Sequence, residues 1–242
     1  VNKVPEHLLD VVTVGNAFEI VWRKVPDQSI DMIFCDPVWQ NVNDYAWVGN
    51  IARRVLKVGG NCIVQSCSEY LFDHERAMSD PGLVRYPVLI ETLTGLRTFW
   101  KYRVQQAYKP YLWYARVQAD KPKARAGSMV PDAYKAGPIT KHQHPWQDNL
   151  AFFAYYIAKL TDPGDVVLDP FCGTGTVAAA CTMLGRHFVT CEIEESTAQT
   201  ARDNLKQCDV MLPELAALEP VSAPVLTRAQ KQKALAEQLG LL

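Results

Sequence analysis

The run Val166-Val167-Leu168-Asp169-Pro170-Phe171-Cys172-Gly173-Thr174-Gly175-Thr176 restricts the fold more than any other stretch of the chain. Its aliphatic start reads as a strand, Asp169-Pro170 ends it, and two nearby glycines mark a bend before a helical pattern from about Thr176 to Leu184. Glycines there let backbone approach a ligand closely where the next helix opens. The next strand, His187 to Cys191, ends in Glu192. That is about twenty residues past the glycine turn, where an open α/β sheet places a carboxylate for ribose hydroxyls. A tight turn alone explains the glycines but not the placed acid.

The rest of the chain repeats the alternation. Val11 to Val14, Ile30 to Cys35 and Asn61 to Gln65 read as strands. Ala17 to Val25, Tyr45 to Lys57 and Ser68 to Met78 read as helices, the second with Val48, Ile51, Ala52 and Val55 on one face and Gly59-Gly60 ending it. Leu96 to Gln106 and Tyr111 to Val117 alternate as antiparallel strands, and Lys121 to Lys141, with its prolines and glycines, reads as a mobile loop. Asp148 or Asn149 caps a helix carrying Leu150, Phe153, Ala154 and Ile157 on one face. A helix from Glu195 to Gln207 precedes a linker from Pro213 to Pro224 and an amphipathic helix from Thr227 to Leu239. Strands alternating with helices imply a mostly parallel α/β sheet covered on both faces.

Length bounds this to one generous domain, or one domain with an insertion: 242 residues, 48% of them hydrophobic, suffice for an unstapled core. No apolar run approaches the ~20 residues of a membrane helix. Val1-Asn2-Lys3 opens on no apolar h-region, which implies a cytoplasmic protein. Seven cysteines without a Cys-x-x-Cys pair read as buried reduced thiols, and the five histidines give no zinc spacing.

The net charge of −1 conceals a division. Arg97 to Lys141 carries ten basic residues and two acids, a net +8, against −9 elsewhere. It is interleaved with Trp100, Tyr102, Tyr108, Tyr111, Trp113, Tyr114 and Tyr134. Positive charge beside aromatics suits a polyanion with stackable bases; a solvated face is the plainer reading. The candidate DNA contacts are Lys121, Lys123, Arg125, Lys135 and Lys141.

A second strand end, Asp36-Pro37-Val38-Trp39, follows Ile30 to Cys35. It suits chemistry on the exocyclic amine of a base, whose nitrogen is a poor nucleophile while conjugated with the ring. The Asp36 carboxylate and Pro37 carbonyl could each accept one N–H, favouring a tetrahedral nitrogen with its lone pair aimed at an electrophile. Trp39 could stack on a base drawn from the duplex. A strand-ending turn with a core tryptophan explains the same four residues.

Together the two strand ends resemble the S-adenosylmethionine-dependent DNA amino-methyltransferases, the N6-adenine and N4-cytosine enzymes. Asp169 to Thr176 resembles their motif I and Asp36-Pro37-Val38-Trp39 their Asp-Pro-Pro-Tyr motif IV, in the permuted order of the β class. The resemblance extends over Val14-Gly15-Asn16-Ala17, Lys141 to Gln147 and Gly185 to Glu192, spanning roughly Val11 to Leu205.

The resemblance implies a Rossmann-like seven-stranded, mostly parallel sheet. It divides the chain into a catalytic half (1–95), a basic target-recognition excursion (96–141), a cofactor-binding half (142–210) and a linker with C-terminal helix (211–242). It implies S-adenosylmethionine as cofactor and DNA as partner, with a homodimer and a restriction partner open. Phe171, Gly173 and Gly175 would wrap the methionine part with Thr174 and Thr176 nearby, Glu192 would hold the ribose, and Ile193 would pack on the adenine. Asp169, Cys172 and Ala17 are counted with this set, as are Asp36 and Asn16, the latter in place of the family's usual aspartate. His144 and Gln147 match the motif that closes over the cofactor, although Asp148-Asn149 replaces the family's Lys-Pro. Asp36, Pro37 and Trp39 would be catalytic, with Val38 in place of the second proline. Asp leading motif IV favours adenine N6 over cytosine N4. A catalytically degenerate nucleic-acid-binding protein and an RNA or protein amino-methyltransferase are the other readings. A carbon-5 enzyme would need a Pro-Cys pair, which the chain lacks.

Overall fold

The computed structural model describes residues 2–80, 82–117, 130–135 and 149–215, without the side chains of 94, 97 and 209–215. Its strands are β1 (Val12–Val14), β2 (Ile30–Cys35), β3 (Leu56–Gln65), β4 (Leu83–Arg85), β5 (Leu89–Phe99), β6 (Val104–Arg116), β7 (Ala133–Lys135), β8 (Val166–Asp169) and β9 (His187–Glu192). Its α-helices are α1 (Ala17–Lys24), α2 (Val42–Val55), α3 (Leu71–Met78), α4 (Leu150–Leu160), α5 (Thr176–Leu184) and α6 (Glu195–Leu215). The chain divides into a body, 1–210, and a C-terminal unit, 211–242, described only as far as 215.

The strands form one sheet in the order β1-β9-β8-β2-β3-β6-β5-β7, with β4 also paired to β6. Seven of them, β1 to β5 along that order, make the expected frame, and the three-residue β4 and β7 add to it. The pairs β1–β9, β9–β8, β8–β2 and β2–β3 are parallel, while β6 runs antiparallel to both β3 and β5. The five parallel strands therefore end at one edge, where the Asp36 and Asp169 turns sit.

Local chemistry sets the element ends. Asn16 and Asn149 cap α1 and α4, each accepting a backbone N–H on its side-chain oxygen (from Phe18 at 2.8 Å and Ala151 at 3.2 Å); such caps contribute about 1 kcal/mol each. Asp31 ties two strands together, accepting from Val166 N–H at 2.9 Å and pairing with Lys57 at 2.7 Å. One face of the sheet packs Ile33, Cys35, Cys62 and Val64 against Ile20 and Val21 of α1 and Tyr45, Val48 and Ile51 of α2. On the other, Phe34 lies against Phe152 and Phe153 of α4, with ring centres 6.1 and 4.6 Å away. All seven cysteines are buried and unbridged.

Four expectations are corrected. Gly59-Gly60 do not end a helix: α2 stops at Val55, and the glycines lie inside β3, where the register jumps from Ile30↔Leu56 to Met32↔Asn61 and the extra residues bulge. The strand expected over Leu96 to Gln106 is broken by a turn at Trp100 to Arg103, with Arg103 at φ +54°, making β5 and β6 one long hairpin. Within the expected loop, Ala133–Lys135 pairs in parallel with β5 as β7, because β5 offers an open edge there. Helix α6 continues past Gln207 through Pro213 to Leu215, into the expected linker; the helix expected at Thr227 lies outside the described residues.

Candidate active site

Strands β2 and β8 are direct parallel neighbours, with Met32↔Val167 and Ile33↔Leu168 in register. Asp36 and Asp169 thus emerge side by side at the carboxyl edge of the sheet. The two turns are built differently.

Backbone geometry builds the β8 turn. Buried Asp169 accepts Phe171 N–H at 3.1 Å, and its carbonyl accepts the Thr190 hydroxyl at 2.8 Å. Gly173 (φ +52°) has open space where a Cβ would stand, whereas a Cβ on Gly175 (φ +89°) would meet Ala201 Cβ at 3.1 Å. Gly175 thus keeps α6 close and heads α5, and Gly173 leaves room beside the turn. The Glu192 carboxylate takes Gly173 N–H at 2.9 Å and Glu194 N–H at 3.1 Å, one on each oxygen. Ile193 beside it is 65% exposed.

Some predicted cofactor contacts hold structural positions. The Cys172 thiol is buried with Val12, Ala198 and Ala201, and burial pushes its pKa up to about 12. Ala17 faces the core, and Thr176 is buried at the start of α5. The Asn16 oxygen serves as a helix cap. Phe171 lies edge-on to Trp47, which also contacts Phe18, with ring centres 6.1 and 4.4 Å apart. His144, Gln147, Lys121, Lys123, Arg125 and Lys141 lie outside the described residues; Lys135, at the end of β7, is exposed.

Side chains from distant elements build the β2 turn. Residues Asp36 to Gln40 line a pocket of about 300 Å³. Trp39 indole N–H donates to Asp36 Oδ1 at 2.9 Å, and Gln65 Nε2–H donates to Asp36 Oδ2 at 3.0 Å. Pro37 is buried, and its carbonyl accepts no hydrogen bond among the described residues. Val38 is 60% exposed, its carbonyl taking the Asn41 N–H. The backbone of Trp39 is fixed by His74, whose Nε2 lies 2.9 Å from the Trp39 carbonyl while Nδ1 lies 2.8 Å from Ser66 Oγ. A carbonyl only accepts, so Nε2 carries the proton and Nδ1 accepts from Ser66. Burial pushes the His74 pKa down, which keeps this neutral tautomer, and the ring stacks on Tyr45 at 3.5 Å.

Sequence reasoning missed Gln65, His74, Ser66 and Tyr45. Gln65 stood at the end of a recognised strand, but only the β2–β3 register, continued one step past Cys35↔Val64, sets it beside Asp36. The basic segment also separates in space. Tyr111, Trp113 and Tyr114 belong to the buried part of β6, whereas Trp100 and Tyr102 at the hairpin tip are 84% and 49% exposed.

This is the layout of a Rossmann-like methyltransferase: parallel strands, a glycine turn with a following acid, and an Asp-Pro turn on the neighbouring strand. The family model N6_N4_Mtase, described as DNA methylase, matches residues 111–203. The chain is similar to the type II methyltransferase M.BamHI of Bacillus amyloliquefaciens, 24% identical over 81% of this chain and 56% of that protein. It is also similar to M.HinfI of Haemophilus influenzae, 22% identical over 82% of this chain and 69% of the relative. It thus spans little more than half the length of M.BamHI. Among solved structures, that of the M1.HpyAVI–SAM complex superposes with a TM-score of 0.64 at 25% identity, covering 81% of this chain and 98% of the other. PvuII DNA methyltransferase, cytosine-N4-specific, shares the fold with a TM-score of 0.68 at 15% identity, covering 87% and 95%. The chain is thus similar to amino-methyltransferases of the β class, the family its motifs and their order resemble.

Proposed function

We propose that this chain is an S-adenosylmethionine-dependent DNA methyltransferase acting on the exocyclic N6 of adenine. The observation that carries the reading is the adjacency of the Asp36 and Asp169 turns on paired parallel strands. The residues at the β8 turn suit the cofactor. Space beside Gly173 admits a close ligand, and the Glu192 carboxylate keeps lone pairs for ribose hydroxyls beyond its two backbone contacts. Phe171, Gly173, Thr174 and Gly175 would hold the methionine end, and exposed Ile193 would pack on the adenine. The bound cofactor supplies an electrophilic methyl group.

Asp36 and Pro37 act on the base. The Asp36 carboxylate and the Pro37 carbonyl each accept one N–H of the amine, which draws the nitrogen lone pair out of conjugation and aims it. Trp39 forms a wall against the extruded base while its indole N–H holds Asp36. Because β6 runs antiparallel to β3 from Gln65↔Tyr111, its residues Val104 to Pro110 extend beyond the catalytic edge by about 20 Å. The hairpin tip carries Trp100, Lys101, Tyr102 and Arg103, and Tyr102 anchors it through Glu69 at 2.8 Å. This arm, with Lys135, supplies charge and stacking surface for DNA.

Tritiated methyl transfer to mixed-sequence DNA, followed by mass spectrometry of the nucleosides, tests the proposal. N6-methyladenine is expected. Only N4-methylcytosine would move the target to cytosine, and cofactor binding without transfer would make the chain a non-catalytic binder.

A further inference from the structure

Aromatic rings from three distant parts of the chain meet beside the β8 turn. Phe18 stands in the first turn of α1, Trp47 in the second turn of α2, and Phe171 on the β8 turn itself. The ring centres of Phe18 and Trp47 are 4.4 Å apart with their planes tilted by 37°, and Trp47 meets Phe171 edge-on, at 6.1 Å and 85°. Edge-to-face contact at this spacing is a favoured arrangement for aromatic pairs.

Sheet order explains the meeting. Helix α1 follows β1 and α2 follows β2, both pack on the same face, and β9 and β8 lie between those two strands. The two helices therefore start on either side of the β8 turn, and their opening turns bring Phe18 and Trp47 together beside it. Each ring stands on a fixed base. Asn16 Oδ1 accepts Phe18 N–H at 2.8 Å, Asp169 Oδ1 accepts Phe171 N–H at 3.1 Å, and Trp47 lies in the chain between buried Tyr45 and Val48. Phe34, Tyr45 and Phe152 are wholly buried, but these three rings keep solvent contact: Phe18 is 39% exposed, and Trp47 and Phe171 are half-buried. Trp47 and Phe171 pack against the core on one side and leave the other side to a ligand.

We propose that Trp47 and Phe18 are positioning residues of the cofactor site: Phe18 steadies Trp47, and Trp47 holds the Phe171 ring in place for the methionine end of S-adenosylmethionine. This rests on the cofactor reading of the β8 turn and adds two residues that the glycine turn does not contain. Phe171 touches the ligand, and the other two act through it. Because the edge contact orders the Phe171 ring before the ligand arrives, less freedom is lost on binding.

Calorimetry of the full chain with S-adenosylhomocysteine tests this without depending on turnover, with denaturant unfolding of each variant alongside. Trp47→Leu keeps an apolar side chain but removes the ring, and Kd should rise about three- to tenfold. Trp47→Phe still presents an aromatic edge and should restore Kd to within about twofold of wild type, which a purely structural role for the bulk of Trp47 does not predict. Phe18→Leu, at the most exposed of the three positions, should raise Kd about two- to threefold and gives a reading even where Trp47→Leu does not fold. Unchanged Kd in folded Trp47→Leu, an equal loss in Trp47→Leu and Trp47→Phe, or unchanged Kd in Phe18→Leu overturns the positioning role. A wild type that does not bind S-adenosylhomocysteine defeats the cofactor reading itself and this role with it; wild-type binding with unaffected variants defeats this role alone.

Discussion

The β8 turn and the β2 turn stand side by side yet are held by different kinds of force. At the β8 turn, left-handed glycines, a buried aspartate and backbone N–H groups close a loop whose partners lie on the turn itself or at the tip of β9. At the β2 turn, Asp36 is held on one oxygen by its own turn and on the other by Gln65, 29 residues away, while His74 braces Trp39 from α3. The proposed cofactor turn is shaped by backbone, and the proposed catalytic turn by side chains brought together by the fold. The first keeps its shape through changes of side chain but not of glycine. The second tolerates changes of backbone neighbour but not of hydrogen-bonding partner.

The widest separation of the two should come from Asp36→Ala. Methyl transfer is expected to fall on the order of a thousandfold while calorimetric cofactor binding persists, because the β8 turn is untouched. Retained transfer would erase the distinction. Gly175→Val attacks the other side. A branched side chain at φ +89° that also meets Ala201 should cost about 3 kcal/mol in denaturant unfolding and weaken cofactor binding. Gly173→Ala, with open space around the added methyl, should cost only about 1 kcal/mol in stability yet still impair binding.

His74 sharpens the contrast through pH. Burial lowers its pKa from the ordinary 6.5, so the folded protein keeps it neutral where the unfolded chain takes a proton. The stability this contributes is fully present above pH 6.5 and is lost as pH falls through the folded-state value. His74→Gln should cost about 1–2 kcal/mol at neutral pH and flatten the acid limb of a denaturation series from pH 7 to 5. A wild-type profile already flat there would contradict the neutral brace. The smallest change belongs to Val38→Pro. Val38 is exposed and only its carbonyl is used in the turn, so restoring the family's second proline should alter kcat by less than about fivefold.

The same contrast explains what the sequence made legible. The β8 turn was readable because its determinants are contiguous: a strand, Asp169-Pro170, two glycines and an acid one strand later. Strand β2, helix α5 and the cap at Asn149 were likewise local, and each formed where the pattern placed it. Gln65 and His74 were not readable as site residues, because nothing near them in the chain marks them; the β2–β3 register brings Gln65 to Asp36, and α3 brings His74 to the Trp39 carbonyl. The aromatic count over the basic segment misled for a related reason. Tyr111, Trp113 and Tyr114 lie between Lys109 and Arg116 along the chain, but β6 is an inner strand there and buries them, leaving Trp100 and Tyr102 to face solvent at the hairpin tip.

The most direct test of the paired turns is a crystal structure of the full chain with S-adenosylhomocysteine. The account predicts the ligand's sulfur between Asp36 and Gly173, with its ribose hydroxyls on Glu192. A ligand seated away from the carboxyl ends of β2 and β8, or side chains closing the gap between Asp36 and Gly173 in its presence, would contradict it.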